Sequence, residues 1–113
     1  MHELGITENI INIVSDKAIA AHASKVVKIN LVVGELSGFV PDCIEFYFSS
    51  VRKGTIADEA DLNFELAPVQ LRCRHCSAVF CPQDTLWTCP KCQSHSLEIA
   101  GGQELYVESI EVE

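Results

Sequence analysis

Basic residues are scarce in this sequence. Lysine and arginine number 8 against 16 acidic residues, for a formal net charge of −8. A nucleic-acid surface needs a basic footprint to meet phosphates, so this balance argues against one. Long apolar runs are missing as well; no stretch approaches the roughly 18 residues of a membrane span. The N-terminus carries no basic segment ahead of an apolar block, so no export signal is expected. No G-x-x-x-x-G-K-[ST] phosphate loop and no nucleophile–base pair occur, and no catalytic role is read. Low-complexity tracts are absent. What remains is a chain of 113 residues with 48% hydrophobic content, enough for one globular domain with a modest core, or a small domain carrying a metal-stapled module. Six cysteines without an export signal read as metal ligands rather than as a disulfide framework, which places the chain in the cytoplasm.

The cysteines are ordered. Cys73-Arg74-His75-Cys76 and Cys89-Pro90-Lys91-Cys92 are two C-x-x-C pairs. A two-residue spacer makes a tight turn from which both sulfurs can face one ion. Two such turns supply four thiolates in a tetrahedron, the closed geometry of structural zinc. Pro90 pre-sets the backbone angle of the second turn. Cys81, His75 and His95 are further donors nearby, but an ion held by four thiolates has no vacancy. Cys81 is therefore read as a bystander, while His75 and His95 could exchange in when a thiolate is protonated. A rubredoxin-like iron site and a zinc-ribbon docking or nucleic-acid module are the alternatives for this pattern. Against iron, Gln93 follows Cys92 where such carriers favour glycine.

The other end of the chain reads Met1-His2-Glu3-Leu4. A bulky second residue blocks trimming of Met1. The Met1 α-amine, the His2 amide nitrogen and one His2 imidazole nitrogen can close adjacent chelate rings on one ion. Planar nitrogen donors suit Cu(II) or Ni(II), with a fourth position open to Glu3 or to a receiving protein. Amine and imidazole both titrate near neutrality, so such a site releases metal as pH falls.

Between these ends, residues 4–23 read as a helix, with Ile6, Ile10, Ile13/Val14, Ala18 and Ala21 on one stripe. His22 is expected as a cation near its C-terminus. Residues 25–34 alternate as a central strand, with Val27, Ile29, Leu31 and Val33 on one face. Glu35 is read as a solvated loop residue. Pro41 opens a second helix faced by Ile44, Phe48 and Val51, ending at Gly54. Cys43, on that helix, is expected to be a small buried hydrophobe. Leu62, Phe64 and Leu66 mark a second strand, and Leu97 and Ile99 a short one. Gly101-Gly102 marks a turn. Residues 104–112 form a last strand with Tyr106, Ile110 and Val112 on one face. Glu98, Glu104, Glu108, Glu111 and Glu113 are read as a solvated acidic face. The fold class expected is α+β (mixed α/β): two helices on a small β-sheet with an inserted four-cysteine zinc-ribbon-like module. The division expected is residues 1–70 together with 100–113 as one domain and 71–99 as the metal module.

Met1-His2-Glu3-Leu4, the Val-Gly-Glu-Leu-Ser segment at 33–37, and Cys73-x-x-Cys76…Cys89-Pro-x-Cys92 together resemble the HypA/HybF family of hydrogenase maturation nickel chaperones. The resemblance spans the whole chain. It implies nickel held at the N-terminus through His2, with Met1 and Glu3 beside it, and zinc held by Cys73, Cys76, Cys89 and Cys92. It also implies delivery of nickel to the large subunit of [NiFe] hydrogenase, work with a HypB-type GTPase, and a monomer or homodimer.

Overall fold

A computed structural model describes residues 2–83 and 87–113 of the chain. The elements run α1 (His2–Ala20), β1 (Val26–Gly34), α2 (Pro41–Val51), β2 (Asp61–Ala67), β3 (Gln70–Cys73), β4 (Val79–Phe80), β5 (Leu97–Gly101) and β6 (Leu105–Val112). They form two three-stranded sheets, ordered β2-β1-β6 and β4-β3-β5. The α+β class expected from the sequence holds.

α1 begins at His2 and stops earlier than its apolar spacing suggests. His22 takes the left-handed conformation at φ 55. Its N–H donates to the Ile19 carbonyl and the Ala23 N–H to the Ala18 carbonyl, the paired bonds of a Schellman stop with histidine where glycine is usual. Val14 and Ala18 are fully buried, as their spacing predicts, and so is Thr7, whose hydroxyl donates to the Glu3 carbonyl. Ile13 stays 45% exposed, which resolves the choice between it and Val14.

β1 is central, parallel to β2 and antiparallel to β6. Its alternation is not the one expected. Val26, Ile29, Leu31 and Val33 are buried, while Val27 is exposed. Between Val26 and Lys28 the register against β6 advances two residues on β1 for one on β6, so Val27 is an inserted bulge residue that resets the phase. A second bulge, between Asn30 and Leu31, inserts Glu108 on β6. Leu105, Val107 and Ile110 therefore meet the core, and Tyr106 is turned out to 49% exposure. Across the first sheet, Asn63 Nδ2 donates to Asn30 Oδ1, and Asn30 Nδ2 to Ser109 Oγ.

α2 buries Ile44 and Phe48 and packs against α1. The Arg52 guanidinium lies 5.4 Å from the Phe48 ring centroid and donates to the Ala60 carbonyl, tying the helix end to the start of β2. Cys43 is exposed, not buried, because it sits one residue off the 44–48–51 stripe. Leu66 is exposed as well, at the end of an edge strand. The acidic residues near the C-terminus are largely partnered: Glu113 with Lys25, Glu111 with Lys28, Glu98 with Arg72. Such exposed pairs add little stability each.

Among the described residues the apolar core lies between the helices and the first sheet, and none from β3, β4 or β5 belongs to it. In the second sheet, strand residues Leu71 and Cys73 are buried, and Cys89 joins them from the following turn. β4, two residues long, is illegible in sequence and exists through its pairing of Leu71 with Phe80 and Arg72 with Val79. β3 and β5 run antiparallel with Gln70 opposite Gly101 and Cys73 opposite Leu97, so the second sheet's two ends meet.

Candidate metal centre

The two C-x-x-C turns are built alike. The N–H of Ser77 donates to the Cys73 carbonyl at 3.0 Å, and that of Gln93 to the Cys89 carbonyl at 2.9 Å. The N–H of Cys73 returns to Ala78, and that of Cys89 to Ser94, each at 2.9 Å. Ser77 and Gln93 both adopt positive φ, 63 and 67. β3 delivers the first turn directly, with Cys73 as its last residue.

These turns bring the four sulfurs within 4.8 Å of one another. Cys73 Sγ lies 3.5 Å from Cys92 Sγ, and Cys76 Sγ 3.5 Å from Cys89 Sγ. Each close pair joins one turn to the other. A tetrahedron with Zn–S bonds of 2.3 Å has S···S edges of about 3.8 Å, so the spacing fits a four-thiolate zinc. Cys73 and Cys89 are buried while Cys76 and Cys92 face outward. Among the described residues no other group of cysteine, histidine or carboxylate ligands gathers in this way.

The electrostatics suit a cation. The Cys73 thiol is lowered to about 6, first by the Cys76 N–H directed at its sulfur, against burial and with help from the His75 N–H. Cys89 is lowered in the same way by the Cys92 N–H, against burial. At Cys92 the Ser94 N–H favours the thiolate, but the Cys73 sulfur and desolvation outweigh it and push the thiol up to about 12. At Cys76 the Ala78 N–H favours the thiolate, and the Cys89 sulfur and desolvation again outweigh it, raising the thiol. Backbone dipoles thus stabilise the first thiolates, and crowding opposes the last. A divalent ion removes that opposition.

The neighbouring donors stand apart. His95 Nδ1 lies 3.3 Å from the Thr88 hydroxyl and 3.4 Å from the Trp87 carbonyl. Cys81 is exposed and lines an open cavity of about 620 Å³ with Phe80, Pro82, Gln83, Thr88, Pro90 and Gln93. Neither residue, nor His75, joins the sulfur group.

At the other end, Met1 and the His2 side chain lie outside the described residues. The His2 backbone opens α1, and Glu3 is the acidic residue of its first turn. Sequence reasoning missed Glu35 as a structural group: its carboxylate accepts the Val69 N–H at 3.1 Å. Its place directly after Gly34 in the 33–37 segment was the available signal.

A helix-backed sheet joined to a four-cysteine ribbon defines a metal-binding protein of mixed α+β architecture rather than a ribbon standing alone. The family model described as hydrogenase/urease nickel incorporation, metallochaperone, hypA matches residues 1–112. Hydrogenase maturation factor HypA of Dehalococcoides mccartyi (strain ATCC BAA-2100) is 42% identical over 113 residues, covering 100% of this chain and 95% of that protein. The HypA of Picosynechococcus sp. is 37% identical over 112 residues, covering 99% of each. Among solved structures, the Ni metallochaperone HypA from Helicobacter pylori superposes with a TM-score of 0.72 at 26% identity, covering 97% of this chain and 96% of that one. A further solution structure of a HypA protein gives 0.80 at 27%, covering 99% and 96%. The chain belongs to the HypA family of hydrogenase and urease nickel-incorporation metallochaperones. Nickel is the family's cargo, and the cysteine cluster fits zinc.

Proposed function

We propose that this protein binds Ni(II) at its N-terminus and delivers it to the large subunit of [NiFe] hydrogenase, working with a HypB-type GTPase in the cytoplasm. The observation that carries this reading is the match to a nickel-incorporation family over residues 1–112, a span that includes both Met1 and His2. The ligands proposed for nickel are the Met1 amine, the His2 amide and imidazole nitrogens, and Glu3. The first N–H groups of a helix have no intrahelical acceptor, so recruiting the His2 amide breaks no bond of α1. The positive end of the helix dipole also favours the deprotonated amide.

Cys73, Cys76, Cys89 and Cys92 are proposed to hold zinc as a resident structural ion. Zinc here supplies a cross-link and no redox chemistry. Residues 1–70 with 100–113 then form the nickel-binding domain, and 71–99 the zinc module. The protein is not read as an enzyme; any nucleotide hydrolysis comes from the GTPase. A homodimer is compatible with this role.

The test is metal content of untagged protein, because a tag would block the Met1 amine. Wild type and His2→Ala are loaded with nickel and analysed for both elements. About one zinc in both and about one nickel in wild type only is the expected result. Equal nickel in both would move the site elsewhere, and no nickel in either would overturn the carrier reading.

A further inference from the structure

Residues 33–37 belong to neither metal site, yet they stand where the chain passes between the two sheets. The chain leaves the first sheet after Ala67 and re-enters it at Leu105. Three successive N–H groups of the segment reach both passing strands. Gly34 donates to the Glu104 carbonyl at 2.6 Å, Glu35 to the Ala67 carbonyl at 2.9 Å, and Leu36 to the Gly102 carbonyl at 2.6 Å. Crossing this closely requires glycine on both sides. A Cβ at Gly34 would overlap the Gly102 carbonyl, and one at Gly102, where φ is +102, would lie 2.8 Å from Val69 Cα.

Two carboxylates complete the crossing. Glu35 Oε1 accepts the Val69 N–H on the outgoing strand. Glu104 Oε1 accepts the Gly102 N–H two residues back, closing the turn on the returning segment. Hydrogen bonds to an ionised acceptor are about twice as strong as neutral ones. Since, among the described residues, the apolar core contains nothing from β3, β4 or β5, the angle between the sheets is not set by a shared core.

We propose that Glu35, which binds the Val69 N–H across the crossing, and Glu104, which closes the 102–104 turn whose carbonyls receive the Gly34 and Leu36 N–H groups, are positioning residues that together fix the orientation of the four-cysteine module relative to the helix-bearing sheet. A fixed angle presents both metal sites to one partner in a single geometry. That consequence rests on the nickel reading above, whereas the angle itself is measured without nickel.

The test uses the zinc-loaded full chain and residual dipolar couplings of backbone amides. In wild type, one alignment tensor should fit β1, β2 and β6 together with β3 and β5. In Glu35→Ala/Glu104→Ala, each sheet should still fit its own coordinates while the single-tensor fit is lost. Glu35→Gln/Glu104→Gln, which keeps a side-chain oxygen acceptor at each site, should recover it. A double alanine variant that retains one tensor and the wild-type angle would show the carboxylates to be local caps and overturn the proposal. Should that variant not fold, hydrogen exchange in wild type decides. Slow exchange at both the Val69 and Gly102 amides is expected, and unprotected amides there overturn the proposal.

Discussion

Cys73 Sγ and Cys92 Sγ lie 3.5 Å apart across a sequence separation of 19 residues. That contact, repeated between Cys76 and Cys89, brings together two turns that, among the described residues, contribute nothing to the apolar core of the first sheet. The second sheet is therefore held by its sulfurs and a short ladder.

Removing zinc should unfold one part of the chain and leave the other. Structural zinc contributes roughly 10–16 kcal/mol of apparent binding energy in zinc-finger peptides at pH 7. Chelation, or Cys89→Ser, should collapse the amide dispersion of residues in β3 and β5 while Ile29, Leu31 and Val33 keep theirs. Heteronuclear NMR with and without chelator reads this directly. Loss of β1 signals together with β3 would contradict it.

Two neighbours on α2 should respond very differently. Ile44 is fully buried, and truncation to alanine should cost about 2–5 kcal/mol. Cys43 is exposed, and Cys43→Ala should change stability by no more than about 0.5 kcal/mol. Denaturant titration of both variants checks the pair.

Gln93 and Ser77 hold left-handed backbone angles without being glycine. Gln93→Gly should stabilise the zinc-loaded protein by about 1 kcal/mol, since φ is positive there and glycine adopts it without strain. The measurement is the unfolding midpoint of the module at saturating zinc; a lowered midpoint would refute the strain.

The Glu104 carboxyl is held below the ordinary range by its own N–H first and then by that of Gly102, against desolvation and with help from the Gln103 N–H. A depressed carboxyl stabilises the fold fully above the unfolded value and loses that contribution as pH falls through the folded one. The Gly102 amide shift should therefore stay constant at neutral pH and move only below about pH 4.3, the ordinary glutamate value. Glu104→Gln should abolish the movement.

Much of this protein is legible without coordinates. The C-x-x-C spacing, the 3–4 periodicity of Ile10, Val14 and Ala18, and the β-branched run at 26–33 are local patterns. Local patterns specify turns, helices and strands because backbone angles and side-chain direction repeat over a few residues. The order of elements and the α+β class follow from them.

Tertiary structure decided what depends on two segments at once. Val27 and Glu108 are bulge residues only because β1 and β6 pair at that register, and the faces of both strands invert as a result. β4 exists only beside β3. The partners of the acidic residues, the exposure of Cys43 and the task of Glu35 at Val69 arise from neighbours distant in sequence. A single sequence records residue types in order; it carries no register, and register is what selects the atoms that meet.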